Sequence, residues 1–222
     1  MRTLAVRFVG TLLQAVACFL LLSPEARALS FQADFTATNY QVTAGNTYAD
    51  LLAAHLAGAP RASVPLTALE NVSAQVTAGV STDYSILMTA VLDVAVAGQY
   101  QFQVGADWGR GGVAAVIDNS TGTVIDELVR TDDIWWNNNW NDPDVFTTSL
   151  ALVAGTSYTL AWLGFEDCCA GVTTIRFSFD GSPFQVLNQS TIAPFVVPEP
   201  STALLLGLGL TLVASRRRGV HR

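Results

Sequence analysis

Two short stretches hold the residue types that could do chemistry. The first is Phe165-Glu166-Asp167-Cys168-Cys169-Ala170-Gly171, two adjacent cysteines preceded by two carboxylates. Neighbouring Cα atoms sit about 3.8 Å apart across a trans peptide, below the roughly 4.4–6.8 Å usual for a disulfide, so a Cys168–Cys169 bond needs a distorted local turn. An oxidising compartment favours the pairing, because the third cysteine, Cys18, lies in the N-terminal apolar run. Once paired, the two sulfurs form a rigid apolar knob, which serves either as a turn lock or as a floor for a sugar ring. Two cysteines are too few for a zinc centre, and only His55 could add an imidazole.

The second stretch is Thr131-Asp132-Asp133-Ile134-Trp135-Trp136-Asn137-Asn138-Asn139-Trp140-Asn141-Asp142-Pro143-Asp144. Aromatic faces stack on sugar C–H surfaces while amides and carboxylates hydrogen-bond hydroxyls, so Trp135, Trp136, Trp140, Asn141, Asp142 and Asp144 are the candidate ligand-binding residues. Asp142 and Asp144 could also supply oxygen ligands to calcium, although the spacing matches no EF-hand loop. The competing use of the same rings is to plug the open end of a β-structure. No other cofactor is indicated.

Enzyme signatures are missing. The chain has no G-x-S-x-G, no H-E-x-x-H and no phosphate-binding glycine loop, and His55 is the one histidine between the two ends. A non-enzymatic module is expected. A carboxylate-based glycan hydrolase is the enzymatic alternative, since its two acids need no sequence signature.

The elements that must position these stretches read as mostly strand. Asn46 or Thr47 caps a helix that places Tyr48, Leu51, Leu52 and Leu56 on one face and stops at Gly58-Ala59-Pro60. Beyond it, short apolar runs at 72–78, 86–96, 99–106, 113–118, 124–130, 145–153, 158–165 and 173–180 alternate with Gly, Asn and Asp turns, a spacing that predicts an all-β sandwich.

Charge narrows the partners. Residues 29–197 contain four arginines, no lysine and sixteen of the eighteen acids, a net charge of −12. A basic groove for nucleic acid is absent, and an anionic polymer would be repelled. Neutral glycans and divalent cations fit the surface better, and solubility alone also accounts for it.

Both ends read as handling signals. Residues 1–28 have Arg2 and Arg7, an apolar stretch at 8–22, and Ala26-Arg27-Ala28 as a small-x-small cleavage site, the pattern of a secretory signal peptide for the Sec export machinery. At the other end Pro198-Glu199-Pro200 precedes an apolar run and then Arg216-Arg217-Arg218. Fifteen residues from Ser201 to Ser215 would make a helix of about 22 Å, short of the ~30 Å hydrocarbon core, and the arginines mark a cytoplasmic stop. A single-pass anchor that stays in place is the competing reading.

This tail resembles the PEP-CTERM sorting signal of Gram-negative bacteria. The resemblance implies transient inner-membrane anchoring, processing by an exosortase, and a destination at the cell surface or in the extracellular matrix. Strand, Asp107-Trp108-Gly109-Arg110-Gly111-Gly112, strand, Asp118-Asn119 and strand in succession is similar to the heart of PA14-like and GLEYA-like jelly rolls, with Trp108 where a second aspartate would often stand. Together with Cys168-Cys169-Ala170-Gly171 and Asp133-Ile134-Trp135-Trp136-Asn137, the chain resembles the CCXG family of PEP-CTERM proteins.

The expected layout is a signal peptide at 1–28, an exported jelly-roll-like β-sandwich with one short N-terminal helix at 29–194, and a sorting signal with a hydrophobic helix at 195–222. The expected role is a cell-surface or matrix module that contacts neutral glycan or exopolysaccharide. A purely structural matrix protein without a specific ligand is the alternative.

Overall fold

The computed structural model describes residues 29–169 and 171–197. The signal-peptide segment, Pro198-Glu199-Pro200 and the apolar run after them lie outside the described residues. Among the described residues no helix is long and apolar enough to cross a membrane.

Twelve strands and three short α-helices make up the described chain: β1 (Ser30–Ala37), α1 (Tyr48–Ala57), β2 (Ala59–Leu66), β3 (Val72–Ser73), α2 (Ala74–Ala78), β4 (Tyr84–Asp93), β5 (Gly98–Trp108), β6 (Gly112–Asp118), β7 (Thr123–Arg130), β8 (Ile134–Trp135), β9 (Phe146–Leu152), β10 (Ser157–Glu166), β11 (Val172–Phe179), β12 (Gln185–Val186) and α3 (Gln189–Ile192). One antiparallel sheet runs β2-β1-β4-β10-β6-β7. In the other, β5 pairs β11 along one edge and β9 then β8 along its other edge, while β11 also holds β12 and β3. The chain is an all-β, jelly-roll-like sandwich.

Period-2 patterning explains the core. Ile86, Met88 and Ala90 of β4, Leu160 and Trp162 of β10, and Tyr100, Phe102 and Val104 of β5 meet between the sheets. The opposite side of the first sheet is covered by α1, which packs Tyr48 and Leu51 on Val113, Ala115, Ala161, Leu163 and Phe165. Covered on both faces, β10 needs apolar residues at nearly every position, and its run of buried residues from Leu160 to Phe165 reflects that.

Three expectations need correction. The run at 72–78 is a two-residue strand followed by α2, because only Val72 and Ser73 find a ladder partner, on β11. Leu56 is not on the buried face of α1: it is 70% exposed, and His55 is buried in its place. Its ring joins Ser85 Oγ at Nδ1 (2.7 Å) and Thr36 Oγ1 at Nε2 (3.3 Å). The strands β1 and β2 are additions to the sequence reading; β2 carries Pro60 and Pro65, tolerable because it is an edge strand. Thr47 caps α1 through a capping box with Asp50, as the capping pattern predicts.

Candidate functional site at the loop end of the sandwich

Antiparallel register places the ends of β4, β5, β8, β10 and β11 together. Tyr84 faces Glu166, Asp107 faces Trp135, and Thr173 faces Ala106. Both chemistry-bearing stretches thus border this end.

The tryptophan loop begins on the ladder. Ile134 and Trp135 pair with Trp108 and Asp107, and alternation turns Ile134 into the core while Trp135 points out, 62% exposed. Then the loop folds back over the outer face of the second sheet. The Trp136 amide donates to Ala106 O (3.1 Å), and its ring lies on Gly105, where any Cβ would collide with the indole. Trp136 is 2% exposed. Trp140 meets it edge-on at 4.8 Å between centroids and is half-buried. Over Trp140 sits the Arg176 guanidinium, at 3.9 Å, with Phe184 on its other side at 4.7 Å and Nε donating to Gln103 Oε1 (2.7 Å).

The expected trio of open stacking faces is therefore corrected. Trp136 serves as a cover for the sheet, Trp140 spends its face on Arg176, and Trp135 alone presents a free ring. Period-2 reasoning applied to 134–136 would have put Trp135 and Trp136 on opposite sides; the missing signal was Gly105, the seat that makes the fold-back possible.

Asn139, Asp142 and Asp144 spend side-chain oxygens on the loop's own backbone. Asn137 and Asn138 take left-handed backbone conformations at φ 46° and 60°, and Asn139 Oδ1 accepts from the Asn141 amide. Asp142 Oδ1 accepts from the Asp144 amide (2.9 Å), and Asp144 Oδ2 from the Trp135 amide (3.2 Å). Asp142 and Asp144 thus brace the tryptophan. They are not joined by a third acidic, His or Cys group; among the described residues the one such trio is Glu166, Asp167 and Cys168.

Cys168 and Cys169 form a vicinal disulfide with their Cα atoms 3.8 Å apart. The distorted turn that this requires is visible as a left-handed Cys169, φ 68°. Both cysteines are exposed. Behind them Glu166 points into the mouth of the core and is 4% exposed, its Oε1 accepting the amides of Asp167 (2.9 Å), Cys168 (3.2 Å) and Gly109 (3.2 Å). Burial pushes its carboxyl up to about 7, against the pull of those N–H bonds. Its register partner Tyr84 is pushed up well above the usual phenol range, first by burial and then by the Glu166 charge. Asp107 is raised too, by burial and by Asp133. Glu166 was legible only as part of a motif, yet an acid closing an apolar strand with no basic partner nearby is itself a signal.

Gly171 is required for space. A Cβ there would meet Asp107 O and come within 2.9 Å of Glu166 Oε2. Gly171→Ala should destabilise the domain by about 1–3 kcal/mol, measured by denaturant unfolding, because the obstruction is backbone. Trp108, beside it, is fully buried and donates Nε1–H to Thr173 Oγ1 (2.7 Å), so the residue standing in the acidic turn belongs to the core.

Residues 196–218 match the family model of the PEP-CTERM protein-sorting motif. The chain carries a PEP-CTERM sorting signal. It marks an exported protein that is processed at the membrane. No curated protein matches the sequence. Among solved structures, the PA14 domain of the MpAFP antifreeze protein is similar, with a TM-score of 0.50, 16% identity, and coverage of 76% of this chain and 93% of that one. A PA14 sugar-binding domain from an RTX adhesin aligns with a TM-score of 0.48 at 17% identity over 74% of this chain and 97% of that one. The epithelial adhesin 9 A domain from Candida glabrata, in complex with Galb1-4GlcNAc, aligns with a TM-score of 0.48 at 9% identity, over 74% and 88% of the two chains. The likeness to the antifreeze-protein domain is one of fold, and it agrees with the PA14-like order of strands and acidic turns.

Proposed function

We propose that this exported, PEP-CTERM-sorted domain is a non-enzymatic surface or matrix module that contacts neutral glycan at its loop end. One observation carries the reading: Trp135 presents a large aromatic ring, 62% exposed, on a backbone held by ladder pairing opposite Asp107 of β5 and by Asp144. A ring carried on a pre-ordered backbone costs less entropy to immobilise when a sugar stacks on it. The exposed disulfide stands in the connection from β10 to β11, just before Gly171, which lies against Asp107 of β5, and it supplies a second apolar surface at this end. Exosortase is the processing partner that the sorting signal implies.

A glycan array probed with and without calcium tests the reading. A neutral glycan should be bound, and Trp135→Ala should weaken it by about 1–3 kcal/mol, the range of a hot-spot aromatic, with stability unchanged. Binding that disappears on chelation would bring Asp142, Asp144, Asp167 or Glu166 into play as calcium ligands. No binding to any array member would favour the structural matrix protein, a reading supported by the use of Asn139, Asp142 and Asp144 to brace the loop's own backbone. The hydrolase reading has less support, since Glu166, one of the two acids with a raised carboxyl, is buried with Oε1 filled by three amides.

A further inference from the structure

The opposite end of the sandwich is where the chain leaves the domain. Val196 bridges to Val94, the Val197 amide donates to Asp93 O (2.8 Å), and Phe195 O accepts from the amides of Ala95 (2.8 Å) and Val96 (3.4 Å). Phe195 packs on Tyr100, Phe177 and Phe179. The domain is therefore ordered up to the residue before Pro198.

Three turns meet there: 94–98, 153–156 and 193–197, tied together by Gly155 N–H to Val94 O and Val94 N–H to Thr156 O. Their sequences, Val-Ala-Val-Ala-Gly, Val-Ala-Gly-Thr and Ala-Pro-Phe-Val-Val, contain no charge. Val96, Val153 and Val197 are 39%, 59% and 37% exposed. In a domain of net charge −12, three adjoining segments without a charge are conspicuous, and the acids Asp83, Asp107, Asp132, Asp133, Glu166 and Asp167 lie at the other end. Asp93, Asp118 and Asp180 border the exit turns.

The tether is short. Pro198, Glu199, Pro200 and Ser201 separate Val197 from the apolar run that starts at Thr202. Four residues span at most about 14 Å, and the polar headgroup layer takes up roughly 5–7 Å of that.

We infer that the turns at 94–98, 153–156 and 193–197 rest on the lipid interface while the sorting tail holds the chain, so that the exit end of the sandwich is a membrane-contact surface. Zwitterionic lipid is the partner, since the bordering acids would be repelled by anionic headgroups. The start of β1 lies at this same end, with Ser30 opposite Val91. The loop end, with Trp135 and the disulfide, then stands about 30 Å from the membrane, the length of β10, facing outward.

The test is hydrogen exchange on the full chain in phosphatidylcholine nanodiscs, one copy per disc, compared with the domain released by proteolysis after residue 197. The amides of 94–98 and 153–156 should exchange several-fold more slowly in the disc, while those of 131–141 keep the same rate in both. A Val96→Asp, Val153→Asp double variant should lose that protection with β4 and β10 exchange unchanged, which certifies its fold. Equal exchange in disc and released forms, protection shared by both ends, or protection that survives in the double variant would each overturn the inference. None of these outcomes depends on glycan binding.

Discussion

Trp136→Ala is expected to lower stability by about 3–5 kcal/mol, the cost of truncating a large buried aromatic. For a domain of this size that corresponds to a Tm drop on the order of 10 °C. The physical cause is local. The Trp136 ring fills the space above Gly105, supports Trp140, and through it the Trp140–Arg176–Phe184 stack over the outer face of β11. Removing it leaves a cavity that a glycine below cannot fill. Trp135→Ala should stay within roughly 0.5 kcal/mol of the parent, since its ring is already in water. Thermal unfolding of the two variants side by side gives the answer. A stable Trp136→Ala domain, or an unfolded Trp135→Ala domain, would mean that the loop does not cover the sheet as described.

Glu166 should dominate the difference in pH dependence between the parent and Glu166→Gln. Its carboxyl is raised to about 7 in the folded domain, against 4.5 for the free group, with burial as the first cause. The folded state then holds a proton that the unfolded state gives up, so this group's contribution is complete below about pH 4.5 and is lost as pH rises through about 7. At 1.36 kcal/mol per unit the loss approaches roughly 3 kcal/mol by pH 8. Glutamine keeps an acceptor for the amides of Gly109, Asp167 and Cys168 and cannot ionise, so the variant should match the parent near pH 4 and exceed it in stability at pH 8. Urea midpoints across that range measure it. His55 acts with the opposite sign: burial lowers its pKa, so its contribution falls as pH drops below about 6.5, and the subtraction of the two profiles cancels it. Parallel curves for parent and variant would show that Glu166 is ionised in the fold.

What could be read from residue order is what depends on local pattern. The strand and turn alternation, the capped helix, the acid-rich, lysine-free surface and the PEP-CTERM signal are properties of neighbouring residues, and each is visible without a fold. Vicinal pairing of Cys168 and Cys169 belongs with them, because two adjacent thiols in an oxidising compartment have no nearer partner. Strands β1 and β2 were missed because Ser, Gln, Asp, Thr, Pro and Arg interrupt their apolar pattern; an edge strand and its neighbour tolerate this once the ladder is in place. Only tertiary structure could decide which tryptophan is free. Trp135 and Trp136 are adjacent and chemically identical, and what separates them is Asp107 paired opposite one and Gly105 lying beneath the other, residues some thirty positions away. The same holds for Glu166, whose carboxyl is raised because β10 carries it into the closed mouth of the core, and for the apolar exit end, which exists only because three turns distant in sequence are hydrogen-bonded at one place. Local pattern sets what each segment can be, while burial and partnership depend on what the fold brings against it.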